Sequence, residues 1–315
     1  MSQSILSNPI FNDPEKARVW LEAQLWPDGP ICPKCGTVDE ATLMKGKSHR
    51  HGLYQCNACR EPFTVTVGTL YERSHIPLNK WLAATHLLMA SKKGISALQI
   101  SRLLGVGRKA GWFMCHRIRE SLRETKPKAL GGKGKTVEID ETFVGGKEKN
   151  KHRSKRKHRG TGGVGKEAVF SLVERGGRVR SNHVANVSAK TLRPVLMTQV
   201  HRSSNLMTDE AAPAKAMGRE FENHETVNHS IGEYVRGDAH TNTIESYFAI
   251  LKRGIIGTYH NVSEAHLKRY LAEFDYRYNE RQALGVDDAT RMEKSLKGIV
   301  GKRLTYRRIN ETAHA

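Results

Sequence analysis

Two pairs of cysteines near the N-terminus constrain the fold of this chain more than any other feature. Each pair is a C-x-x-C motif, and twenty residues separate the two motifs. Four thiolates at this spacing suit tetrahedral Zn²⁺, and the intervening length suits a small β-hairpin. The predicted ligands of one structural Zn²⁺ are Cys32, Cys35, Cys56 and Cys59. We therefore predict a zinc ribbon, in which the ion folds a segment too small to hold a core of its own.

The sequence indicates a reducing compartment. The first residues lack the basic flank and apolar stretch of a secretory signal, and no run of about 18 apolar residues could cross a membrane. A disulfide pair or a redox-active C-x-x-C motif is the alternative for the cysteines, and two spaced pairs in such a chain disfavour both. We therefore predict a cytoplasmic protein without a membrane partner.

The charge of the chain indicates a polyanionic partner. Fifty-two Lys and Arg residues against 32 Asp and Glu residues give a net charge of +20. Some proteins are basic without binding nucleic acid, but here the charge coincides with a segment that has a DNA-reading pattern. At 315 residues the chain has room for two or three domains. We predict that DNA is the partner and that the protein associates with the nucleoid.

A helix-turn-helix pattern follows the cysteine motifs. A short apolar-periodic helix is predicted over 95–104, then a turn at Gly105 and a second helix over about 108–122. In such a motif the basic side of the second helix enters the major groove. The residues predicted to contact DNA are Arg108, Lys109 and Arg117, on a side that also carries His116 and Arg119. A plain α-helical hairpin is the alternative.

The pattern changes from helical to extended after a glycine-rich basic segment at 131–135, where we place a domain boundary. Strands are predicted over 136–144, 167–174 and 178–187, then a helix over about 191–200 and a strand over 205–209. This order matches the start of an RNase H-like α/β sheet. The predicted domains are an N-terminal helix and zinc ribbon (1–72), a helix-turn-helix DNA-binding region (73–130), an RNase H-like catalytic domain (131–290) and a basic C-terminal tail (291–315).

Three carboxylates in the second half have the setting of a metal-dependent phosphoryl-transfer site. Asp140 and Asp209 end apolar runs predicted as strands, and Glu245 follows after 35 further residues, in an amphipathic stretch over 241–253. Two acids at strand ends and one on a helix can converge on a pair of hard cations, which prefer oxygen ligands. We predict that these three acids are catalytic and bind two Mg²⁺ (or Mn²⁺) ions.

The helix predicted around Glu245 places two further polar residues on its face. At about 100° per residue, Asn242, Glu245 and Lys252 align. Lys252 is therefore predicted to bind a DNA phosphate while Glu245 reaches the metals; an ordinary surface helix is the alternative. Rival positions for the metal-binding acids are Glu138, Glu141, Glu210, Asp238 and His240.

Several motifs together resemble those of the DDE transposases of bacterial insertion sequences, in particular the ISXO-like group with an N-terminal zinc ribbon. The resemblance spans residues 15 to 285. The segments that carry it are the two C-x-x-C motifs, 139–147, 207–209, 240–245 continuing through 251–254 and 257–260, and 276–281. Each motif alone is a modest indication of this family, whereas four motifs in this order indicate it strongly.

The resemblance implies an RNase H-like core with two Mg²⁺ or Mn²⁺ ions, in which Asp140, Asp209 and Glu245 are the DDE acids. It further implies hydrolysis at the transposon ends, then attack of the freed 3′-hydroxyl on target DNA, with no covalent protein intermediate. Double-stranded DNA and further copies of the chain in a synaptic complex are the implied partners. Some members of the group use Asn as the third ligand, so Asn242 is an alternative to Glu245.

Two other functions fit the same residues. One is a metal-dependent nuclease that cuts DNA without strand transfer. The other is a DNA-binding regulator that keeps the zinc ribbon and helix-turn-helix beside an inactive core. The presence of all three acids argues against the regulator, whereas only the resemblance separates the transposase from the nuclease.

Overall fold

The computed structural model describes residues 7–146, 148–156, 163–210 and 212–305. The chain divides into two compact units. The first combines the residues up to Arg123 with those from Gly285 onwards, and the second runs from Glu124 to Leu284. These bounds differ from the predicted boundary at 131–135, and they leave no separate unit for the predicted tail.

In chain order the helices and strands are α1 (Pro14–Leu25), β1 (Ala41–Leu43), β2 (Tyr54–Cys56), β3 (Pro62–Phe63), α2 (Leu78–Ala90), α3 (Ala97–Leu104), α4 (Arg108–Ser121), β4 (Thr136–Val144), β5 (Glu167–Glu174), β6 (Val179–Val184), α5 (Ala189–Gln199), β7 (Asn205–Thr208), α6 (Ala212–Gly218), β8 (Asn223–Thr226), β9 (Val235–Arg236), β10 (Ala239–His240), α7 (Asn242–Gly254), α8 (Glu264–Asn279) and α9 (Asp288–Lys297). Strands β1, β2 and β3 form the small antiparallel sheet of the ribbon. A single turn of π-helix over Ile255–Tyr259 continues α7.

The glycine-rich segment predicted as a flexible joint is held within the second unit. The N–H of Gly131 donates to Glu174 Oε2 at 2.9 Å, and the N–H of Gly132 donates to Ser204 Oγ at 2.9 Å. A Cβ on Gly131 would lie 2.1 Å from Ser204 Oγ, so glycine alone allows this approach. The segment is therefore part of the second unit and not a linker between domains.

Helices α3 and α4 meet at a turn that local signals specify. Ser96 Oγ accepts a hydrogen bond from the N–H of Gln99 and caps α3, and Gly105 ends α3 in the left-handed region at φ 57°. Gly111 lies where α4 approaches α3. A Cβ there would lie 3.0 Å from the carbonyl oxygen of Ala97, so the absence of a side chain allows the two helices to pack closely.

The residues of the predicted C-terminal tail complete the first unit. Arg291 on α9 is buried, and its Nη1 donates to the carbonyl of Met89 at the end of α2 at 2.9 Å. Lys302 Nζ donates to the carbonyls of Ser121 at 2.9 Å and Arg123 at 2.7 Å, and so caps the C-terminal end of α4. The predicted tail is thus packed as far as Lys302; residues 306–315 lie outside the described part of the chain.

A mixed sheet with strand order β6-β5-β4-β7-β8 forms the centre of the second unit. β4 pairs antiparallel with β5, which pairs antiparallel with β6, whereas β7 and β8 run parallel to β4. One face packs against α5 through residues such as Leu172 and Leu196. The other face packs against α7 and α8 through Val169, Leu251 and Leu271. The sheet therefore presents one face of β4 to the helix that carries Glu245.

The predicted elements of the second unit are observed with small changes. The strands over 136–144 and 167–174 have the predicted bounds. The third strand ends at Val184, the fourth ends at Thr208, and the helix between them spans Ala189–Gln199. The α/β class is confirmed. Among the helices of the described residues, none has both the length and the apolar character needed to cross a membrane.

We expect Gly111→Ala to destabilise the first unit. The added methyl group forces α3 and α4 apart, and overpacking of this kind costs about 1–3 kcal/mol. Replacing glycine by alanine in a helix gains about 1 kcal/mol in helix propensity. We expect the overpacking cost to exceed this gain. Trp20, Trp26, Trp81 and Trp112 all belong to the first unit, so tryptophan fluorescence during urea unfolding reports on that unit.

Gly107→Ser is the matched control for this substitution. Gly107 precedes α4 at its N-cap and has open space around it, and serine is a better capping residue. Its urea midpoint should be unchanged or higher. A Gly111→Ala midpoint equal to that of the wild type would show that the two helices are not in tight contact.

Candidate functional site

The four predicted zinc ligands converge in the first unit. Their sulfur atoms lie within 4.8 Å of one another, and Cys32 is 3.6 Å from Cys59 while Cys35 is 3.5 Å from Cys56, measured between Sγ atoms. A tetrahedron with Zn–S bonds of about 2.3 Å has S–S edges of roughly 3.8 Å. All four are free thiols. The cluster therefore fits one Zn²⁺ ion.

A small aromatic cluster supports the thiol cluster. Trp26 contacts Tyr54 and Phe63 edge-on, with ring centroids 5.6 and 5.8 Å apart, and Phe63 is fully buried. Cys32 and Cys56 are buried in the same hydrophobic cluster. Because this core is so small, the metal is needed to hold the strands of the ribbon together.

Asp140 lies on β4, and Asp209 directly follows the end of the neighbouring strand β7. β4 and β7 pair in parallel with Glu138 opposite Met207. Asp140 and Asp209 each lie two residues further along the chain, so the same register places them side by side. The two predicted acids are thus brought together by the sheet itself.

Asp140 lies in an environment that disfavours its ionised form. Burial raises the pKa of Asp140 to about 7, and the negative charges of Glu141, Asp209 and Glu245 add to the increase. A hydrogen bond from the N–H of Glu141 at 2.7 Å acts in the opposite direction. The charges of three other carboxylates thus act on Asp140, and a cation bound nearby would relieve this repulsion.

Glu141, one of the rival positions, also feels the charge of this group. Side-chain alternation puts Glu141 on the opposite face of β4 from Asp140. Burial raises the pKa of Glu141, and the charge of Asp209 adds to the increase.

Glu245 approaches the group from the first turn of α7. Its Oε1 accepts a hydrogen bond from Thr241 Oγ1 at 2.9 Å and lies 3.7 Å from His229 Nε2, while nearly half of its side chain is exposed. Within the described residues, the oxygens of Asp140, Asp209 and Glu245 do not all lie within 4.8 Å of one another, as the four thiols do. The acids therefore form a looser group than the thiols do.

Glu138 fixes the position of α7 on the sheet. It is fully buried on the same face of β4 as Asp140, and its carboxylate accepts hydrogen bonds from Thr243 Oγ1 at 2.9 Å and from the N–H of Ile244 at 2.9 Å. A carboxylate at these N–H groups also has a favourable interaction with the helix dipole. Glu138, a rival in the sequence reasoning, thus positions α7.

Arg175 extends this contact to the segment before α7. Its Nε donates to Glu138 at 2.7 Å, and its Nη1 and Nη2 donate to the carbonyls of Asp238 at 2.9 Å and His240 at 2.8 Å. The His240 ring lies in the same network, 3.4 Å from Glu138. Sequence reasoning did not single out Arg175, because its role depends on residues that are 37 to 65 positions away in the chain.

Glu210 orders the turn that carries His229. It accepts hydrogen bonds from the N–H groups of His229 at 2.9 Å and Ser230 at 3.1 Å. A hydrogen bond from its own N–H, together with these two, lowers the pKa of Glu210. His229 is therefore held beside Glu245. The sequence indicated Glu210 as a site residue through its position next to Asp209, whereas no sequence feature indicated a role for His229.

The predicted DNA contacts differ in their exposure. Arg108 and Lys109 are exposed at the start of α4, and Lys252 is exposed at the end of α7. Arg117 is half-buried: its guanidinium lies over the Phe113 ring and donates to the carbonyls of Glu72 and Leu304, each at 3.3 Å. His116 and Arg119, expected on the basic side of α4, are buried. Arg108 and Lys109 are therefore better placed for an external partner than Arg117.

We expect Cys56→Ser to remove the structural zinc. Cys56 is fully buried in the thiol cluster, and a hydroxyl group is a much poorer zinc ligand than a thiolate. The zinc content of the ribbon, measured by elemental analysis of the purified protein, should fall from one ion to less than about 0.2. Cys115→Ser is the control, since Cys115 is also buried but lies outside the cluster. Equal zinc contents in the two variants would contradict the four-cysteine site.

We expect Glu138→Gln to destabilise the second unit by about 3–5 kcal/mol, because it leaves the Arg175 guanidinium without its buried counter-charge. Hydrogen exchange of peptides from β4 and β5 during urea unfolding measures this loss. Glu174→Gln is the control: its ion pair with Lys135 is partly exposed and should cost less than about 1 kcal/mol. Similar losses in both variants would show that Glu138 is not the main anchor of α7.

Comparisons with known proteins agree with this arrangement. Residues 129–279 match the ISXO2-like transposase domain, and residues 12–61 match the transposase zinc-ribbon domain. The chain is 29% identical over 276 residues to a protein of Halobacterium salinarum described as an uncharacterized protein in transposable element ISH50. That similarity covers 84% of this chain and 90% of the relative. The chain therefore contains an ISXO2-like transposase domain that is preceded by a transposase zinc ribbon.

Proposed function

We propose that this transposase binds transposon ends and catalyses metal-dependent DNA cleavage and strand transfer, with Asp140, Asp209 and Glu245 as its catalytic acids. The observation that carries this proposal is the convergence of carboxylates on Asp140, whose pKa is raised to about 7 by burial and by their charges. Like charges gathered in this way around a buried carboxyl are typical of a site that binds cations.

The sheet supports an RNase H-like core. Three antiparallel strands followed by two strands parallel to the first give the order β6-β5-β4-β7-β8. In this arrangement the first acid lies on the central strand, the second directly follows its parallel neighbour, and the third is supplied by a helix on one face. The placement of Asp140, Asp209 and Glu245 agrees with that expectation.

The donor set fits Mg²⁺ or Mn²⁺. Carboxylate oxygens are the preferred ligands of these hard cations, and the group has an open side at the exposed Glu245. Two such ions, when bound, stabilise the attacking and leaving oxygens of an in-line displacement at phosphorus. The reaction then needs no nucleophilic side chain, which agrees with hydrolysis at the ends and attack by the freed 3′-hydroxyl on target DNA.

The chain's own residues set the geometry of the acids. Thr241 donates to one oxygen of Glu245 and so restricts the orientation of the carboxylate. The N–H of Glu141 holds one oxygen of Asp140 in the same way. Glu138 and Arg175 fix α7 against the sheet and thereby the spacing of the acids. Preorganisation of this kind is what positions a phosphodiester for in-line attack. Asn242 begins α7 and remains an alternative third ligand.

DNA binding is assigned to the helix-turn-helix formed by α3 and α4 and to the basic end of α7. Arg108 and Lys109 are exposed where α4 begins, which is the end of a recognition helix that meets base edges. Lys252 lies seven residues from Glu245, about 10.5 Å along the helix axis, a suitable distance for a neighbouring phosphate. We propose that Arg117 acts indirectly, by supporting α4. We further propose a homo-oligomeric synaptic complex in the cytoplasm, associated with the nucleoid.

Strand transfer of a pre-nicked transposon-end duplex into plasmid DNA tests the proposal. We expect Asp140→Asn, Asp209→Asn and Glu245→Gln to lower the rate in Mg²⁺ by at least about a thousandfold, since the ions contribute several kcal/mol and each 1.36 kcal/mol is a factor of ten. End binding should be nearly unchanged. Glu222→Gln, an exposed acid outside the group, is the matched control and should keep full activity.

A change of metal separates ligation from a structural effect. Asp140→Cys should be inactive in Mg²⁺ and regain activity in Mn²⁺, because a thiolate is a softer ligand. Joined product from the wild type supports the transposase, cleavage without joining favours the nuclease, and binding without chemistry favours the regulator. Loss of end binding in the acid variants would show that these residues are structural.

A further inference from the structure

A second group of metal-ligating side chains lies in the second unit, apart from the proposed catalytic acids. One oxygen each of Glu167 and Glu264 and a ring nitrogen of His183 all lie within 4.8 Å of one another. His183 Nε2 is 2.8 Å from Glu167 Oε2. The three residues come from three elements: the first residue of β5, the end of β6 and the first residue of α8.

The sheet register explains why Glu167 and His183 share a face. His183 pairs with Val169, and directly paired residues of antiparallel strands project on the same side. Glu167 precedes Val169 by two residues, so the alternation of β5 returns it to that side. Val169 belongs to the core beneath α7 and α8. Both side chains therefore project from the face of the sheet that α7 and α8 cover.

Contacts between β6 and α8 bring the third residue to the same place. The N–H and Oγ of Ser181 both donate to Asp275 at 2.8 Å, and the N–H of Val179 donates to Asn279 at 2.6 Å. These bonds fix α8 along β6, with its C-terminal end at the start of the strand. The N-terminal residue of α8, Glu264, is thereby placed towards the end of β6, beside His183.

We propose that Glu167, His183 and Glu264 form a binding site for a divalent transition-metal ion such as Zn²⁺. One imidazole and two carboxylates give a mixed nitrogen and oxygen donor set, which favours Zn²⁺, Co²⁺, Ni²⁺ or Mn²⁺ over Mg²⁺ and Ca²⁺. The ion neutralises two carboxylate charges that otherwise face each other. Glu264 is exposed and Glu167 partly so, which gives an ion a path from solvent. Three protein ligands leave further coordination positions for water.

This site is distinct from the other two metal sites. Glu167 lies four residues before Ser171, the residue that pairs with Asp140, so the strand alone separates the two positions by about 14 Å. The thiol cluster belongs to the first unit. The proposed ion instead binds at the first residue of β5, Glu167, which pairs with Val144, the last residue of β4. It would fix both ends of the segment between β4 and β5 to the start of α8.

Zinc stoichiometry of the full-length protein tests the proposal. After dialysis against buffered Zn²⁺ with excess Mg²⁺, which fills the sites that prefer hard cations, elemental analysis should give two zinc ions per chain for the wild type. Glu264→Gln and His183→Gln should each give one, the ribbon zinc. The affinity for the second ion should fall by at least about a hundredfold, since even the loss of a partner that only orients a ligand costs 10–100-fold.

Three outcomes have defined meanings. Glu222→Gln, another exposed glutamate, should keep two ions and so controls for charge removal. One zinc in the wild type would overturn the proposal and leave Glu167 and His183 as an ordinary hydrogen-bonded pair. Two in all variants would place the second ion elsewhere and overturn it as well. Because Glu264→Gln changes only an exposed side chain, its result does not depend on the folding of the His183 variant.

Discussion

The second unit depends on a buried charge. Glu138 is fully buried on β4, and its desolvation is offset by Arg175 and by donors at the start of α7. Asp140, two residues along the same face, has only the N–H of its neighbour as a described donor and keeps a raised pKa. The protein thus supplies several hydrogen-bond donors to Glu138, whereas the described residues supply one to Asp140. This difference in hydrogen bonding, which no strand pattern reveals, separates the positioning acid from the proposed catalytic one.

Features that depend on short-range sequence could be predicted. The cysteine spacing gave the thiol cluster, because four ligands in two pairs define a tetrahedral site almost without regard to the rest of the fold. β4 and β5 have the predicted bounds, since both are apolar runs ended by glycines and charges. The acids on β4 and after β7 could be placed because they follow such runs. The helix around Glu245 followed from its amphipathic period, and its apolar residues Ile244, Phe248 and Leu251 are buried.

Features that depend on contacts between distant parts of the chain could not be predicted from the sequence. The glycines at 131 and 132 resemble a linker, but Glu174 and Ser204 hold them through bonds that span 43 and 72 positions. Arg117 is a basic residue of the type that contacts DNA, yet its guanidinium donates to the carbonyl of Leu304, 187 positions later in the chain. The same limit applies to Arg175 and His229, whose partners lie in other elements. Local periodicity shows which side of an element is apolar but not which polar groups meet in three dimensions.

The return of the C-terminal residues to the first unit has a consequence for synthesis. Domains usually fold in the order in which they leave the ribosome. Here α2 and α4 emerge early, but their partners Arg291 and Lys302 are translated nearly two hundred residues later. The second unit, which is continuous in sequence, can therefore fold while the first is still open. The part of the protein proposed to recognise DNA therefore reaches its final structure only after the second unit and α9 have been translated.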